Sequence, residues 1–273
     1  MYVDFTNTPY LESSKVLAHA KRLNWRTEVL IARNRKFFEG KRVLDLASHD
    51  GRFSYSALQC GASYVKGVEG RQEAVDEAFS NMEKMQIDRS KYDFEQCDLT
   101  AFLRTVEPGE FDVILCFGVF SHLVSQFEVL AEVKRIQPSL FILDTWVARE
   151  PMFKNFRNKM VNYIVNRSID SVQLNNRQTG KWNIFNHLRK IVKQPSGSIV
   201  LLYEDPNAPG ATIDKSGLMA WATNDALRMM FSHFDFNATE VDWHQQGVDD
   251  WRQLTDYKNA KRVSWLLQPS NTK

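Results

Sequence analysis

Apolar and polar positions follow two different rhythms along this chain, and the switch between them predicts its elements. Residues 10–38 set Leu11, Val16, Leu17, Leu23, Val29, Leu30 and Phe37 among charged residues at helical spacing, and Gly40 offers a stop. From residue 43 onward, short apolar runs alternate with amphipathic stretches. The pattern predicts strands over 43–47, 64–68, 92–96, 111–117 and 139–146, separated by helices over 52–60, 71–85, 99–106 and 124–135. The runs Val43–Ala47, Phe111–Phe117 and Leu140–Leu143 are almost wholly apolar, as befits parallel strands covered on both faces. Such alternation with right-handed crossovers is the signature of an α/β fold with a doubly wound sheet.

Regularity stops at Arg149-Glu150-Pro151. Residues 149–222 hold helix-like pieces, a turn at 194–198, an apolar strand from Ile199 to Tyr203 and a Pro/Gly-rich loop at 205–210. Order then returns. Thr223 or Asn224 can cap a helix running to about His233, and 236–243 and 262–267 read as closing strands. The expected organisation is an N-terminal helical segment over 1–42, a core over 43–148 and 217–273, and a basic insertion over 149–216.

Composition narrows the classes. The 273 residues are 43% apolar and 25% charged, the balance of a soluble globular protein able to bury a core. Cys60, Cys97 and Cys116 are scattered, which argues against a disulfide framework and against a zinc site. The N-terminus lacks a basic stretch followed by an apolar one, and no apolar run approaches the roughly 20 residues of a membrane span. A cytoplasmic setting is the expectation. Charge is unevenly spread: residues 15–42 hold nine Lys/Arg against two acids, and residues 149–193 hold ten against two. Two basic segments fit an anionic partner, a small molecule or RNA; they fit two solvated helix faces equally well.

The chemistry concentrates where the first strands end. Asp45 closes the first strand, small residues follow, and Gly51 leads into Arg52-Phe53-Ser54, which can start a helix. Gly67-Val68-Glu69-Gly70-Arg71 ends the second strand in a carboxylate, placed to accept both hydroxyl hydrogens of a ribose. A dinucleotide fingerprint would need Gly-x-Gly-x-x-Gly. Here there is one glycine, with Asp45 and Asp50 beside it; acids repel a pyrophosphate but suit a ligand carrying an ammonium and a sulfonium, which points to S-adenosylmethionine.

The segment Asp45-Leu46-Ala47-Ser48-His49-Asp50-Gly51 resembles the first motif of class I S-adenosylmethionine-dependent methyltransferases, Asp/Glu-x-Gly-x-Gly-x-Gly, with Ala47 and His49 at two of its glycine positions. The resemblance covers about 41–147 and 217–268. It implies a mostly parallel, seven-stranded Rossmann-like sheet completed by the last helix and strand pair, with 149–216 inserted before that pair as an acceptor-binding cap. It implies that Asp45 meets the methionine amino group and that Ala47, Ser48, Gly51, Phe53, Glu69 and Gly70 surround the cofactor. Asp98, in Gln96-Cys97-Asp98-Leu99, matches the acid that bonds the adenine amino group, with Leu99 against the ring; Asp98 also reads as a helix cap. Phe117-Gly118-Val119-Phe120-Ser121-His122 stands where cofactor and acceptor should meet.

That last stretch, together with Trp221-Ala222-Thr223-Asn224, is similar to the catalytic domain of the tRNA uridine carboxymethyltransferases. His122 is a candidate base, or a histidine that anchors its loop. Asp144, at the fifth strand's end, is the second catalytic candidate. Tyr203, Glu204, His187 and Trp221 lie where acceptor specificity sits, and Trp182 and Phe185 among Lys181, Arg189 and Lys190 could stack on an anionic acceptor or form the insertion's own core. The Asn/Asp-Pro-Pro-Tyr signature of base-amine methylation is missing. The expected activity is in-line methyl transfer to a small or medium anionic acceptor at oxygen. The alternatives are an RNA-modifying enzyme of the same fold and a non-catalytic partner protein.

Overall fold

The computed structural model describes residues 2–12, 19–148, 197–207 and 216–270. Five strands, β1 (Arg42–Leu46), β2 (Tyr64–Glu69), β3 (Tyr92–Gln96), β4 (Val113–Phe117) and β5 (Leu140–Trp146), lie parallel. β8 (Phe236–Glu240) and β9 (Arg262–Pro269) complete a seven-stranded sheet of order β3-β2-β1-β4-β5-β9-β8, in which β9 runs antiparallel to both neighbours. The order reverses between β1 and β4, so their carboxyl ends flank the crevice where open α/β sheets bind ligands.

Side-chain alternation explains why helices cover both faces. Val43, Val65, Val113, Leu115 and Ile142 point to one face, packed with α1 (Ala20–Leu30), α2 (Arg52–Gln59) and α3 (Gln72–Lys84). Leu44, Leu46, Ile114, Cys116 and Leu143 point to the other, packed with α4 (Leu99–Thr105), α5 (Gln126–Ile136) and α6 (Asn224–His233). Thr223 caps α6, its hydroxyl accepting from the Ala226 N–H at 3.3 Å. A short α7 (Thr255–Lys258) precedes β9. β6 (Ile199–Tyr203) and β7 (Leu218–Ala222) pair only with each other, as a separate antiparallel ribbon.

The first segment departs from the expected continuous helix over 10–38. A 3-10 turn at Pro9–Leu11, α1, and a 3-10 stretch at Ala32–Phe37 replace it among the described residues. Asn34 is the physical reason for the break after α1. Its backbone leaves helical geometry, and its side-chain amide donates to the Leu30 carbonyl at 3.0 Å, capping a carbonyl the helix no longer satisfies. Val3, Phe5, Tyr10, Leu23, Val29 and Leu30 are all buried in the core under α2 and α3, so this segment is part of the globule.

Candidate active site

The loop after β1 holds three residues in left-handed geometry: Ala47 (φ 55°), His49 (φ 53°) and Gly51 (φ 81°). These are the three positions at which the family motif carries glycine. The backbone course that glycine makes easy is kept here at two residues that resist it, at about 1 kcal/mol each. Hydrogen bonds hold it. The Ser48 N–H donates to the Val68 carbonyl at 3.0 Å, and the His49 N–H donates to Glu69 Oε2 at 3.1 Å. Gly51 has no such freedom to change, because a Cβ there would come within 3.0 Å of the Phe94 ring and 3.2 Å of Ala78.

The acids of this loop divide into two kinds. Asp50 is buried and forms a two-point ion pair with Arg52, Nε to Oδ1 at 2.6 Å and Nη2 to Oδ2 at 2.7 Å. Burial opposes its charge, yet His49 and Arg52 overcome that and hold the carboxyl well below its usual range. Asp50 is therefore a brace for the loop, not the free acid beside a ligand that the spacing suggests. Asp45 pairs with no cation among the described residues. Burial pushes its carboxyl up to about 7, against a 2.7 Å hydrogen bond from the Ser54 hydroxyl and with further upward pressure from Glu69 and Asp50.

Glu69 ends β2 with its side chain buried. Oε2 takes the His49 N–H, while Oε1 takes both Arg71 Nε at 2.9 Å and the Arg71 N–H at 3.3 Å, which leaves a lone pair on Oε2. Gly70 is exposed beside it. At the end of β3, Asp98 caps α4, Oδ1 accepting from the Ala101 N–H at 2.8 Å; its other oxygen is free for a second partner among the described residues. Leu99 is buried against the core on the β1–β2 side. Phe53 meets Phe117 edge-to-face at 4.7 Å, and Gly118 (φ 97°) donates its N–H to the Asp144 carbonyl at 2.8 Å. The fold thus gathers Asp45, Ala47, Ser48, Gly51, Phe53, Glu69, Gly70, Asp98, Phe117 and Gly118 along the carboxyl edge of β3-β2-β1-β4.

At the β4 and β5 ends the two catalytic candidates separate. His122 closes a 3-10 turn, Phe120–His122, immediately after β4. Its Nδ1 faces Glu204 Oε2 at 3.5 Å, and both atoms are buried without another partner among the described residues. Burial lowers the imidazole pKa, Glu204 raises it, and the net displacement is downward, so the ring is neutral near pH 7. Gln126, at the start of α5, donates to the Phe120 and Ala220 carbonyls and so ties this turn to β7. Trp221 on β7 stacks on Trp146 of β5, centroids 5.9 Å apart and planes 17° apart.

Asp144 is a correction. It is wholly buried, accepts from Tyr257 Oη at 2.5 Å, and is paired with Arg262 Nε and with Arg26 at 3.4 Å. Burial opposes its charge, but the two guanidiniums and the Tyr257 hydrogen bond hold its pKa below the usual carboxylate range. A carboxylate so committed does not take a proton from an acceptor. The arginines themselves escaped the sequence reading. The usable signal was that Arg26 sits in the apolar stripe of α1, three residues after Leu23 and four before Leu30. The remaining described cations of 15–42 are largely matched within the chain: Lys21 with Asp250, Arg22 with Asp256, Arg33 with Glu28, Arg35 with Glu39, and Lys41 with Asp112. Trp182, Phe185, His187 and the basic segment 149–193 lie outside the described residues.

A sheet of this order, a bent loop after β1 and a carboxylate ending β2 define a class. A family model for the methyltransferase domain matches residues 37–199, more than half the chain, and the chain belongs to that family. By class it is an S-adenosylmethionine-dependent methyltransferase domain, and S-adenosylmethionine is the cofactor of that class. Over 83 residues it is 45% identical to ribosomal RNA large subunit methyltransferase I of Escherichia coli O139:H28, covering 30% of this chain. The match spans about a fifth, 21%, of that relative's length. Among solved structures, it resembles the N-terminal domain of EvdMO1 with S-adenosylhomocysteine bound, at TM-score 0.56 and 15% identity over 91% of this chain and 81% of that one. It also resembles an S-adenosylmethionine-dependent methyltransferase from Mesorhizobium loti, at TM-score 0.55 and 13% identity over 90% and 99%. At these identities the structural likeness is one of fold.

Proposed function

We propose that this chain transfers a methyl group from S-adenosylmethionine to an oxygen of a small or medium anionic acceptor at the carboxyl ends of β4 and β5. The observation that carries the reading is the pairing of His122 with Glu204 at 3.5 Å, in the turn just beyond Gly118 after β4. The residues fit the cofactor. Ser48 Oγ is buried without a partner among the described residues, and Asp45 can meet an ammonium. The spare lone pair on Glu69 Oε2 suits a ribose hydroxyl, the free oxygen of Asp98 suits an adenine amino group with Leu99 below the ring, and Gly70, Phe53, Phe117 and Gly118 complete the wall. When bound, the cofactor supplies a methyl group on positively charged sulfur.

The chain's own work is alignment and proton transfer. Holding acceptor oxygen and methyl group in line contributes several kcal/mol. His122 takes the acceptor's hydroxyl proton, and Glu204 offsets the positive charge that then forms on the ring.

Calorimetric titration with S-adenosylhomocysteine, with NAD as control, tests the cofactor assignment. Glu69→Ala should weaken binding roughly ten- to hundred-fold, the loss of about 1.5–3 kcal/mol of charge-assisted hydrogen bonding. Equal affinity in the mutant would remove Glu69 from the site.

An RNA acceptor is the second reading. It is favoured by the segment shared with a ribosomal RNA methyltransferase and by the ten Lys/Arg in 149–193. RNA binding that falls steeply with salt would support it, since phosphate contacts release counterions; binding indifferent to salt would count against it.

A further inference from the structure

Charge in the floor beneath β4 and β5 does not balance. Three guanidiniums, Arg22, Arg26 and Arg262, share two carboxylates, Asp144 and Asp256. Arg22 is fully engaged, bonding both oxygens of Asp256 at 2.8 and 2.6 Å and the Gln253 carbonyl at 2.7 Å. Arg26 and Arg262 both lean on the single carboxylate of Asp144, whose second oxygen also takes the Tyr257 hydroxyl. Among the described residues this pairing leaves one positive charge over, on side chains that are only 8% and 6% exposed. Burying an unmatched charge is costly, and a fold keeps one where a ligand completes the pairing.

The two arginines reach toward the same place. The Arg26 guanidinium lies over Phe53 and Phe117, 4.6 and 5.7 Å from the ring centroids. Arg262 Nη2 stands 3.1 Å from where a side chain on Gly118 would begin, and its guanidinium lies 5.5 Å from the Trp146 ring centroid. The hydrogen bonds of Arg262 to described residues run through Nε, which leaves its terminal nitrogens as donors on the Gly118 side. Its other side borders a cavity of about 290 Å³ that also presents Glu240 and Asp242, acids that turn an anion away. The positive charge of Arg262 therefore lies at Gly118, just past the end of β4 and within electrostatic reach of His122.

We infer that Arg26 and Arg262 form the seat for a single anionic group, a carboxylate or phosphate ester, carried by the methyl acceptor. The inference rests on the methyl-transfer reading and specifies its substrate: an acid whose anion is held at Gly118 while a nearby hydroxyl meets His122. The planar forks of two arginines recognise the oxygens of such a group better than a lysine would.

The test uses the full chain saturated with S-adenosylhomocysteine and titrated with inorganic phosphate and with acetate at constant ionic strength, followed by calorimetry. Saturable binding is expected, weakened about ten-fold or more in Arg26→Gln, a full step of affinity, with S-adenosylhomocysteine affinity held within about two-fold of wild type. Arg26→Lys keeps the charge opposite Asp144 should the glutamine variant fold poorly, and should weaken the anion less than the glutamine does. Two results would overturn the proposal. One is a wild-type complex that binds neither anion. The other is an Arg26→Gln variant that loses S-adenosylhomocysteine but keeps methylthioadenosine, which lacks the amino-acid part; the arginines would then hold the cofactor's own carboxylate. Failure of the wild type to bind S-adenosylhomocysteine sinks the methyl-transfer reading instead, and titrating the free protein with phosphate still reports on the arginine pair.

Discussion

The two halves of the candidate site are built by opposite means. At the ends of β1 and β2 the groups that matter fall between residues 45 and 69, and backbone geometry and main-chain hydrogen bonds place them. At the ends of β4 and β5 they come from α1, β5, α7 and β9. Arg26 and Arg262 each stand 118 residues from the Asp144 they share. The β1–β2 end uses strained backbone and side chains paired with residues near in sequence, Asp50 with Arg52 and Glu69 with Arg71. The acceptor half uses relaxed backbone and a buried charge network. A local loop can be read and altered residue by residue, whereas the network stands or falls as a unit.

Asp144→Ala should give the largest effect. It leaves two buried guanidiniums without their carboxylate, a loss of about 3–5 kcal/mol in unfolding free energy by urea titration. A loss below about 1 kcal/mol would mean that water already reaches the cluster. Glu69→Ala comes next in size, but its effect belongs to cofactor affinity, and the urea midpoint should hardly move. A comparable loss of stability there would erase the contrast between the halves. Smaller still, Ala47→Gly should stabilise the chain by up to about 1 kcal/mol, because relief of the left-handed strain exceeds the entropy glycine adds to the unfolded chain. Destabilisation would show that the alanine methyl contributes packing that outweighs the strain.

A pH-dependent effect concerns Asp45, and its sign follows from its raised pKa. Below pH 3.8 the carboxyl is protonated whether the chain is folded or not. Between there and about pH 7 only the folded chain keeps the proton, so this group's stabilising contribution shrinks as pH rises. Asp45→Asn removes that dependence. The variant should match wild type near pH 4, gain on it gradually, and be the more stable above pH 7. S-adenosylhomocysteine should bind wild type more tightly at pH 8 than at pH 6, because an ammonium partner favours the ionised carboxyl. Parallel stability curves across that window would show that Asp45 ionises normally.

The contrast also explains what could be read in advance. The strand–helix alternation survived almost element for element, because period-two and period-3.6 burial is written in the side chains themselves. The loop was legible through Asp45, Gly51 and Glu69, since a turn conformation is a local property. Asp144 was read by its place at a strand end, which says nothing of the arginines that arrive from α1 and β9. Asp50 misled for the same reason, as Arg52 neutralises it two residues on. The helical spacing over 10–38 did not report the break after Leu30, because spacing counts apolar residues and overlooks an asparagine able to cap its own turn.

By itself the sequence determined the doubly wound α/β core, the order of its strands and helices, the cofactor loop and its closing carboxylate. The elements and the loop are written in side-chain patterns local to the chain. Only the tertiary structure decided that Arg26 is buried against Asp144 and not on a solvated basic face, that Asp144 is held and not free, and that Glu204 stands behind His122. Those facts depend on which charges share a desolvated space, and burial, which no spacing of residues reports, fixes both their pairing and their ionisation.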